Sequence, residues 1–413
     1  MSPSRPGPDG AAIGFATALL LALGLSMAAA LSLGITRFSF AMLLPPMRGD
    51  LGWSYTLAGG MNTANAVGYL LGALTTPMLM RRFGPTRLLV LSAVLECEFM
   101  ATSGFFVAAP ALLTQRLLAG LPSAWVFVAG GLLAARLGAL RPSSSGLLLG
   151  MYYGGTGFGI VLSAVMVPAV LAAMQGQPHA WRWAWWALAA GGLLATIAAT
   201  WAARALDRHL GAEPVAPPAV DTPAAVSTLS VARRFGWALA GYCCFGAGYI
   251  AYMTFVIALF REQGASGAQI TAFYSLLGIA CLASSRVWAQ LLDRWRGGGP
   301  QALLNALLGG ATLLPVVSQA WPLALLSGAV FGGVFLSVVA STTALVRHNL
   351  PRAQWTLGIS AFTIAFALGQ IVGPTVTGWI SDGPGGLSRG LLASTATLWV
   401  AALLASRQRP LVR

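Results

Sequence analysis

Long apolar runs, separated by short polar or Pro/Gly-bearing breaks, dominate this chain. About 20 apolar residues suffice to cross the hydrocarbon core of a bilayer as a helix. Counting such runs gives twelve, near 13–44, 55–80, 87–109, 111–139, 143–173, 182–204, 235–260, 267–292, 300–320, 322–346, 355–381 and 388–406. The period-two alternation of a barrel strand is absent, so the pattern predicts helices as the spanning element. Ala28, Ala29 and Ala30 offer a cleavage-like site in the first run. That run is too long for a secretory leader and its flank is nearly uncharged, so it is expected to stay as the first helix.

Composition strengthens this reading. Of 413 residues 57% are hydrophobic and 8% are charged, too little charge to clothe a water-soluble fold of this size and too little for a disordered chain. The net charge of +14 would suit nucleic acid, but the placement of the basic residues says otherwise. All 24 are Arg. Without Lys the chain has no Walker A loop and no Schiff-base lysine, so driving energy has to come from outside the polypeptide. Alternating the runs across a membrane puts 17 Arg on the side of the N-terminus and four (Arg48, Arg182, Arg261, Arg389) on the other. This asymmetry predicts both termini in the cytoplasm and explains the charge as topology rather than nucleic-acid binding. Arg37, Arg116 and Arg286 fall deeper within runs. The four Cys lie in apolar stretches without C-x-x-C spacing and read as small buried hydrophobes.

The longest connection, 205–234, carries Pro214, Pro217, Pro218 and Pro223 and reads as a cytoplasmic linker. Six runs precede it and six follow, and an offset of 212 residues aligns the halves: Gly34 with Gly246, Gly52 with Gly264, Ser54 with Ser266, Pro110 with Pro322 and Gly120 with Gly332. The expected organisation is a tail (1–12), an N-terminal six-helix bundle (13–204), the linker (205–234), a C-terminal six-helix bundle (235–406) and a second tail (407–413).

PMLMRRFGPTR (77–87) and AQLLDRWRGG (289–298), after the second helix of each half, resemble the loop signature of the major facilitator superfamily. RLLAG (116–120) and GQIVGPTVTGWISD (369–382) are similar to its R-x-x-x-G and Gly-Pro-rich patterns, and GMYYGGTGFG (150–159) is similar to its Gly-rich antiporter motif without the Pro. GITRFSFAMLLPPM (34–47), NAVGYLLGAL (65–74) and GYIAYMTFVIALFREQGASGAQITAFY (248–274) resemble the YbfB/YjiJ-type branch. The resemblance covers nearly the whole chain. It implies an all-α membrane protein of twelve transmembrane helices in two pseudo-symmetric six-helix bundles, working by alternating access in a bacterial inner membrane. In the loop signature Asp293 and Arg294 keep the family's acid-base pair, whereas Arg81 stands where the N-half acid belongs. An asymmetric cytoplasmic latch built on Asp293 and Arg294 is therefore expected.

Intramembrane ionisable groups are functional candidates by default. Arg37 can bind an anion such as a carboxylate, or snorkel or lock helix one to a neighbour. Arg116, in the R-x-x-x-G pattern, suits a conformational or proton-coupling role. Glu96 and Glu98 lie mid-helix and point about 200° apart, so only one can face a cavity, and that one is a proton-coupling candidate. Arg286 is expected to pair structurally. Asn62, Asn65, Tyr69, Tyr152, Tyr249, Tyr252, Tyr274 and Gln370, on helices that the resemblance places around a central cavity, can orient a solute or bond between helices. Tyr153 belongs to the same group. Gly68/Gly72, Gly150/Gly154, Gly155/Gly159 and Gly369/Gly373 have the spacing of packing seams. His179, His209 and His348 are far apart, so no metal cluster and no cofactor is expected. GLSRG (386–390) lacks the strand and the His of a nucleophile elbow. The expected activity is secondary transport of a small organic solute, with an anion favoured by Arg37 and Arg116 and the proton gradient as driver, by a chain functional as a monomer. Efflux of hydrophobic or cationic compounds is the alternative, with a membrane-embedded enzyme far behind.

Overall fold

The computed structural model describes residues 13–210, 233–351 and 354–411. The tail 1–12, most of the linker, Arg352 and Arg413 lie outside the described residues. Twelve long helices follow one another: α1 Phe15–Leu51, α2 Tyr55–Phe83, α3 Pro85–Ser103, α4 Ala109–Leu140, α5 Ser145–Ala173, α6 Trp181–Leu210, α7 Gly236–Glu262, α8 Gly267–Arg294, α9 Gly299–Val317, α10 Trp321–Asn349, α11 Trp355–Asp382 and α12 Gly386–Ser406. Ten carry an apolar window sufficient to cross a membrane; α2 and α3 do not, because polar residues interrupt them. Those two helices hold Asn62, Asn65, Glu96 and Glu98.

Local chemistry sets the helix ends, and it repeats at the 212-residue offset. Gly52 and Gly264 take left-handed turns (φ 65° and 83°), a conformation that glycine adopts without a Cβ penalty. Two residues later Ser54 and Ser266, both at φ −69° and ψ 161°, cap the next helix by accepting from Leu57 N and Gln269 N. Pro85, Pro110, Pro300 and Pro322 sit in first turns, where their missing N–H has no helical partner to lose.

The expected runs differ from the helices at three ends. α1 continues to Leu51 through Pro45 and Pro46, because the burial of Met42, Leu43, Leu44 and Met47 outweighs two missing donors. α3 stops at Ser103, where Gly104 opens a turn followed by exposed Phe105 and Phe106. α6 runs to Leu210, so the stretch 205–210 expected in the linker is helical.

Within the halves, α2 crosses α4 and α8 crosses α10 at backbone contact. A Cβ on Gly120 would lie 2.2 Å from the Asn65 carbonyl, and one on Gly332 would lie 2.1 Å from that of Leu277. Residues 65 and 277 are themselves related by the same offset, so both glycine seams belong to one duplicated crossing. Gly155 and Gly159 seat α5 on α1, and Gly369 and Gly373 seat α11 on α7.

The two halves meet through α2 with α11, α5 with α8 and the end of α1 with α7. Arg141 donates to Ile13 O in the N-half and Gln408 to Arg234 O in the C-half; with successive helices alternating in direction, Ile13, Arg234 and Gln408 fall on one side, called here the terminal side. Contacts between halves lie at mid-depth or toward the other side: Gly59 against Pro374, Gly378 against Tyr55, Gly157 against Gly278. Thr63 reaches Ile371 O and Thr375 there, and Thr271 donates to Ala164 O. Among the described residues no hydrogen bond joins the halves on the terminal side. The molecule is closed on the side away from its termini.

A Cβ on Gly68 would lie 1.9 Å from Leu117 O at the α2–α4 crossing, whereas Gly310 has open space around it. Gly68→Val is therefore expected to cost at least about 1–3 kcal/mol of overpacking and to lower the thermal unfolding midpoint in detergent. Gly310→Ala should leave that midpoint unchanged or raise it slightly. Equal midpoints for Gly68→Val and wild type would contradict the crossing.

Candidate functional site

The site begins in α1, where nine residues, Ala30–Phe38, widen into a π-helical stretch with every residue buried. A wide turn loosens the regular ladder and frees carbonyls for other donors. Ser39 donates its hydroxyl to Ile35 O, Arg116 Nη1 donates to Thr36 O at 2.9 Å, and the Tyr274 hydroxyl donates to Phe38 O at 2.6 Å. Two of these donors come from other helices, so α4 and α8 hold the widened turn between them.

Arg116 is 2% exposed. Its Nη2 donates to Asn62 Oδ1 at 2.9 Å, and Asn62 Nδ2 donates to Thr254 Oγ1 at 2.7 Å across the interface of the halves. Thr254 in turn donates to Ile250 O. At the 212-residue offset Asn62 corresponds to Tyr274 and Phe38 to Ile250. The two halves thus make one interaction twice: Tyr274 reaches the partner half's carbonyl directly, while the shorter Asn62 reaches it through the Thr254 hydroxyl. Such bonds contribute about 0.6 kcal/mol each in a bilayer, so their main effect is to fix register. Phe40 and Trp185 face the Arg116 guanidinium at 4.7 and 5.9 Å from their ring centroids.

Arg37 is 4% exposed and makes no hydrogen bond or ion pair with any described residue, and its Nη2 is enclosed without a partner. Its guanidinium lies 5.4 Å from the Tyr69 ring centroid. Arg37 and Tyr249 are equivalent positions at the 212-residue offset. No carboxylate lies within 4 Å of either buried guanidinium among the described residues; the single ion pair there is His179 with Asp50.

The sequence candidates divide accordingly. Arg37, Asn62, Tyr69, Arg116, Tyr249 and Tyr274 gather at the junction of the halves. Gln370 joins them by donating to the Tyr249 hydroxyl, and Asn65 by donating to Arg116 O. Tyr252 lies alongside, sharing a hydrogen bond with Ser327 and stacked on Phe331. Tyr152 is not at the junction: it fills the space beside Gly130 and donates to Phe127 O inside the N-half. Tyr153 is exposed.

Glu96 is 0% exposed, with Thr36 and Ser123 as polar neighbours and neither carboxylate oxygen hydrogen-bonded. Glu98 points the other way and is exposed, as a 200° separation requires. Asp293, Arg294 and Arg286 are exposed at the terminal end of α8 and make no ion pair among the described residues, so neither the expected latch nor the expected pairing of Arg286 is made among them in this state. Asp293 and Arg294 are consecutive on α8 and lie about 100° apart around it, so their side chains diverge.

Sequence reasoning missed the groups that close the opposite side. The Asp382 carboxylate, from the C-half, caps the start of α2 in the N-half, accepting from Tyr55 N at 2.7 Å, Thr56 N at 2.9 Å and Thr56 Oγ1 at 2.6 Å. A carboxylate there meets free N–H groups and the positive end of the helix. The Tyr55 hydroxyl donates to Glu262, and Arg48 covers the Tyr55 ring at 3.7 Å. The available signal was the acid ending the Gly-Pro-rich segment 369–382. It was unreadable because nothing local ties Asp382 to Tyr55.

A family model described as "Uncharacterised MFS-type transporter YbfB" matches residues 29–406. Three solved structures share the fold. A bacterial homolog of the human lysosomal transporter Spinster, inward-facing and unoccupied, has a TM-score of 0.69 at 14% identity, over 95% of this chain and 97% of that one. The nucleoside transporter NupG has a TM-score of 0.72 at 12% identity, over 94% and 98%. The E. coli fucose:proton symporter FucP has a TM-score of 0.59 at 16% identity, over 95% and 98%. A search of curated protein sequences gave no match.

Asp382→Asn removes the capping charge while keeping its shape, which should cost the closed state about 1 kcal/mol, roughly a fivefold population shift. Spin labels at Gly49→Cys and Arg389→Cys, both on the closed side, should report a longer-distance population in this variant. An unchanged distance distribution would rule out the Asp382 clamp.

Proposed function

The chain belongs to the YbfB-type group of major facilitator superfamily transporters, and from that premise we propose that it moves a small organic anion by alternating access, with Arg37 as the binding charge. It is a multi-pass membrane transporter, not an enzyme. The observation that carries the anion reading is the Arg37 guanidinium, buried at the junction of the halves with no acid and no hydrogen bond to neutralise it. A charged side chain at mid-membrane costs about 2.5–3.5 kcal/mol on insertion scales. A packing role would be served better by an apolar residue, whereas an arriving carboxylate offsets the cost directly.

The proton gradient is proposed as the driver, with Glu96 as the group that holds the proton. Its carboxyl lies beside Thr36, whose carbonyl Arg116 binds, so its charge state bears on the widened turn next to Arg37. Export of cations with Glu96 as the recognising charge fits less well, because α3 packs on α4, α6 and the widened turn of α1, all in its own half. Tyr69, Tyr249, Tyr274, Asn62 and Gln370 are proposed to line the solute site, with Asn65 and Tyr252 supporting them; Tyr152 acts through packing.

The Arg asymmetry supports a bacterial inner-membrane orientation with the terminal side in the cytoplasm, which makes this state inward-facing. Each chain carries both halves of the site, so a monomer suffices. Asp293 is proposed to cap a helix start or to pair with a nearby Arg, such as Arg294 or one from the neighbouring helix, when the cytoplasmic side closes.

In proteoliposomes loaded with a mixture of radiolabelled organic anions, Arg37→Gln should reduce uptake roughly ten- to hundredfold, the effect of one lost charge-assisted contact. Glu96→Gln should retain exchange but lose its stimulation by an imposed pH gradient. Anion uptake that survives Arg37→Gln would overturn the binding assignment, and persisting gradient stimulation in Glu96→Gln would overturn the coupling one. Asp293→Asn should shift the resting population toward the inward-open state by a few-fold at most, as suits an exposed pair of about 0–1 kcal/mol, while Arg81→Asp should be tolerated. Distances between spin labels at the terminal helix ends give the comparison, and identical populations in Asp293→Asn and wild type would refute the latch.

A further inference from the structure

Resting on the anion reading above, we propose that the solute carries a single negative charge: it is a monocarboxylate, and dicarboxylates and phosphate esters are refused. Two guanidiniums are buried at the junction, and the structure commits one of them while leaving the other free. Arg116 gives Nη1 to Thr36 O and Nη2 to Asn62 Oδ1, both at 2.9 Å. The ring centroids of Phe40 and Trp185 lie 4.7 and 5.9 Å from its central carbon. Its Nε has no partner but is fully enclosed, so an incoming group does not reach it. Arg37 makes no hydrogen bond with any described residue, and of its three nitrogens only Nη2 is enclosed, which leaves Nε and Nη1 accessible.

A second negative charge finds no cation there. The chain has no Lys, and the remaining described Arg and His residues lie toward helix ends or in loops. Neutral donors at the junction, such as the Tyr69 hydroxyl, can hydrogen-bond an oxygen but bring no charge to offset one, and burying an uncompensated charge costs more than a hydrogen bond returns. One free guanidinium and one carboxylate sum to zero, so the occupied junction is neutral at the depth where a bilayer tolerates charge least. The planar, permanently charged guanidinium suits a carboxylate. Asn62 then has a part in selectivity. By accepting from Arg116 Nη2, its Oδ1 keeps the second cation occupied and withholds it from the solute. The Asn62 amide is held in turn by the bond from its Nδ2 to Thr254 in the other half, at 2.7 Å.

The test is binding to the purified full chain in detergent, measured by calorimetry, with butyrate, butyramide, succinate and monomethyl succinate as probes at a pH where succinate is doubly ionised. Monomethyl succinate keeps the succinate chain with one charge masked, so that pair isolates the second charge. The monoester should bind about tenfold or more tightly than succinate, the effect of one charge left without a partner. Butyrate should bind more tightly than the neutral butyramide. Asn62→Ala releases Arg116 Nη2 and should narrow the advantage of the monoester to about threefold or less, whereas Thr254→Val, which leaves the Arg116–Asn62 bond in place, should preserve it. Arg37→Gln should abolish the binding of butyrate and of the monoester. If succinate binds wild type as tightly as the monoester and both are lost in Arg37→Gln, the single-charge inference fails while the anion reading survives. An undiminished advantage in Asn62→Ala overturns the part given to Asn62, and if that variant does not fold the wild-type ratio decides alone. Should no acid bind, or should binding persist in Arg37→Gln, both readings fail.

Discussion

A bilayer offers no water to a polar group in its core, so each one must find its partner inside the protein. In this chain that demand concentrates on one widened turn of α1. Its freed carbonyls are claimed by Arg116 from α4 and by Tyr274 from the opposite half, and Arg116 in turn holds Asn62, which reaches Thr254. Removing the wide turn would leave a buried guanidinium short of acceptors and cut one of the bonds that set the two bundles in register. The position of Arg37 within the same turn follows from it. The segment that accepts from Arg116 Nη1 leaves Arg37 Nη2 without a partner at the junction of the halves.

The halves descend from one pattern but have divided the chemistry. Equivalent positions carry Arg37 and Tyr249, Asn62 and Tyr274, Gly120 and Gly332. The scaffold pairs remain alike, since backbone contact at a helix crossing admits little besides glycine. The pairs facing the junction have diverged into charge on one side and aromatic rings on the other. Equivalent positions also diverge away from the junction, as at Arg81 and Asp293 on the terminal side.

Closure is equally one-sided. Away from the termini the Asp382 carboxylate, Glu262 and Arg48 join the halves around Tyr55, while on the terminal side Asp293 makes no ion pair among the described residues. Acids are scarce in this chain, ten in all, and where each lies decides which side can close. An acid set against a helix start in the other bundle holds the two bundles together on that side.

Much of this was legible in the chain itself. Twelve spans, their breaks, the duplication and the family follow from hydrophobic run length and from glycine, serine and proline at fixed spacing, because these are local constraints that a linear pattern records. The candidate list also contained most of the junction, since a polar residue within an apolar run announces itself. The α1 widening, the orphaned Nη2 of Arg37 beside a hydrogen-bonded Arg116, the place of Tyr152 inside the N-half and the Asp382 contact with the start of α2 were decided only by tertiary structure. Each depends on which helix faces which, and on atoms separated by tens to hundreds of residues meeting at hydrogen-bond or ring-stacking distance. Periodicity fixes the face of a helix, but the neighbour that covers that face is chosen by packing.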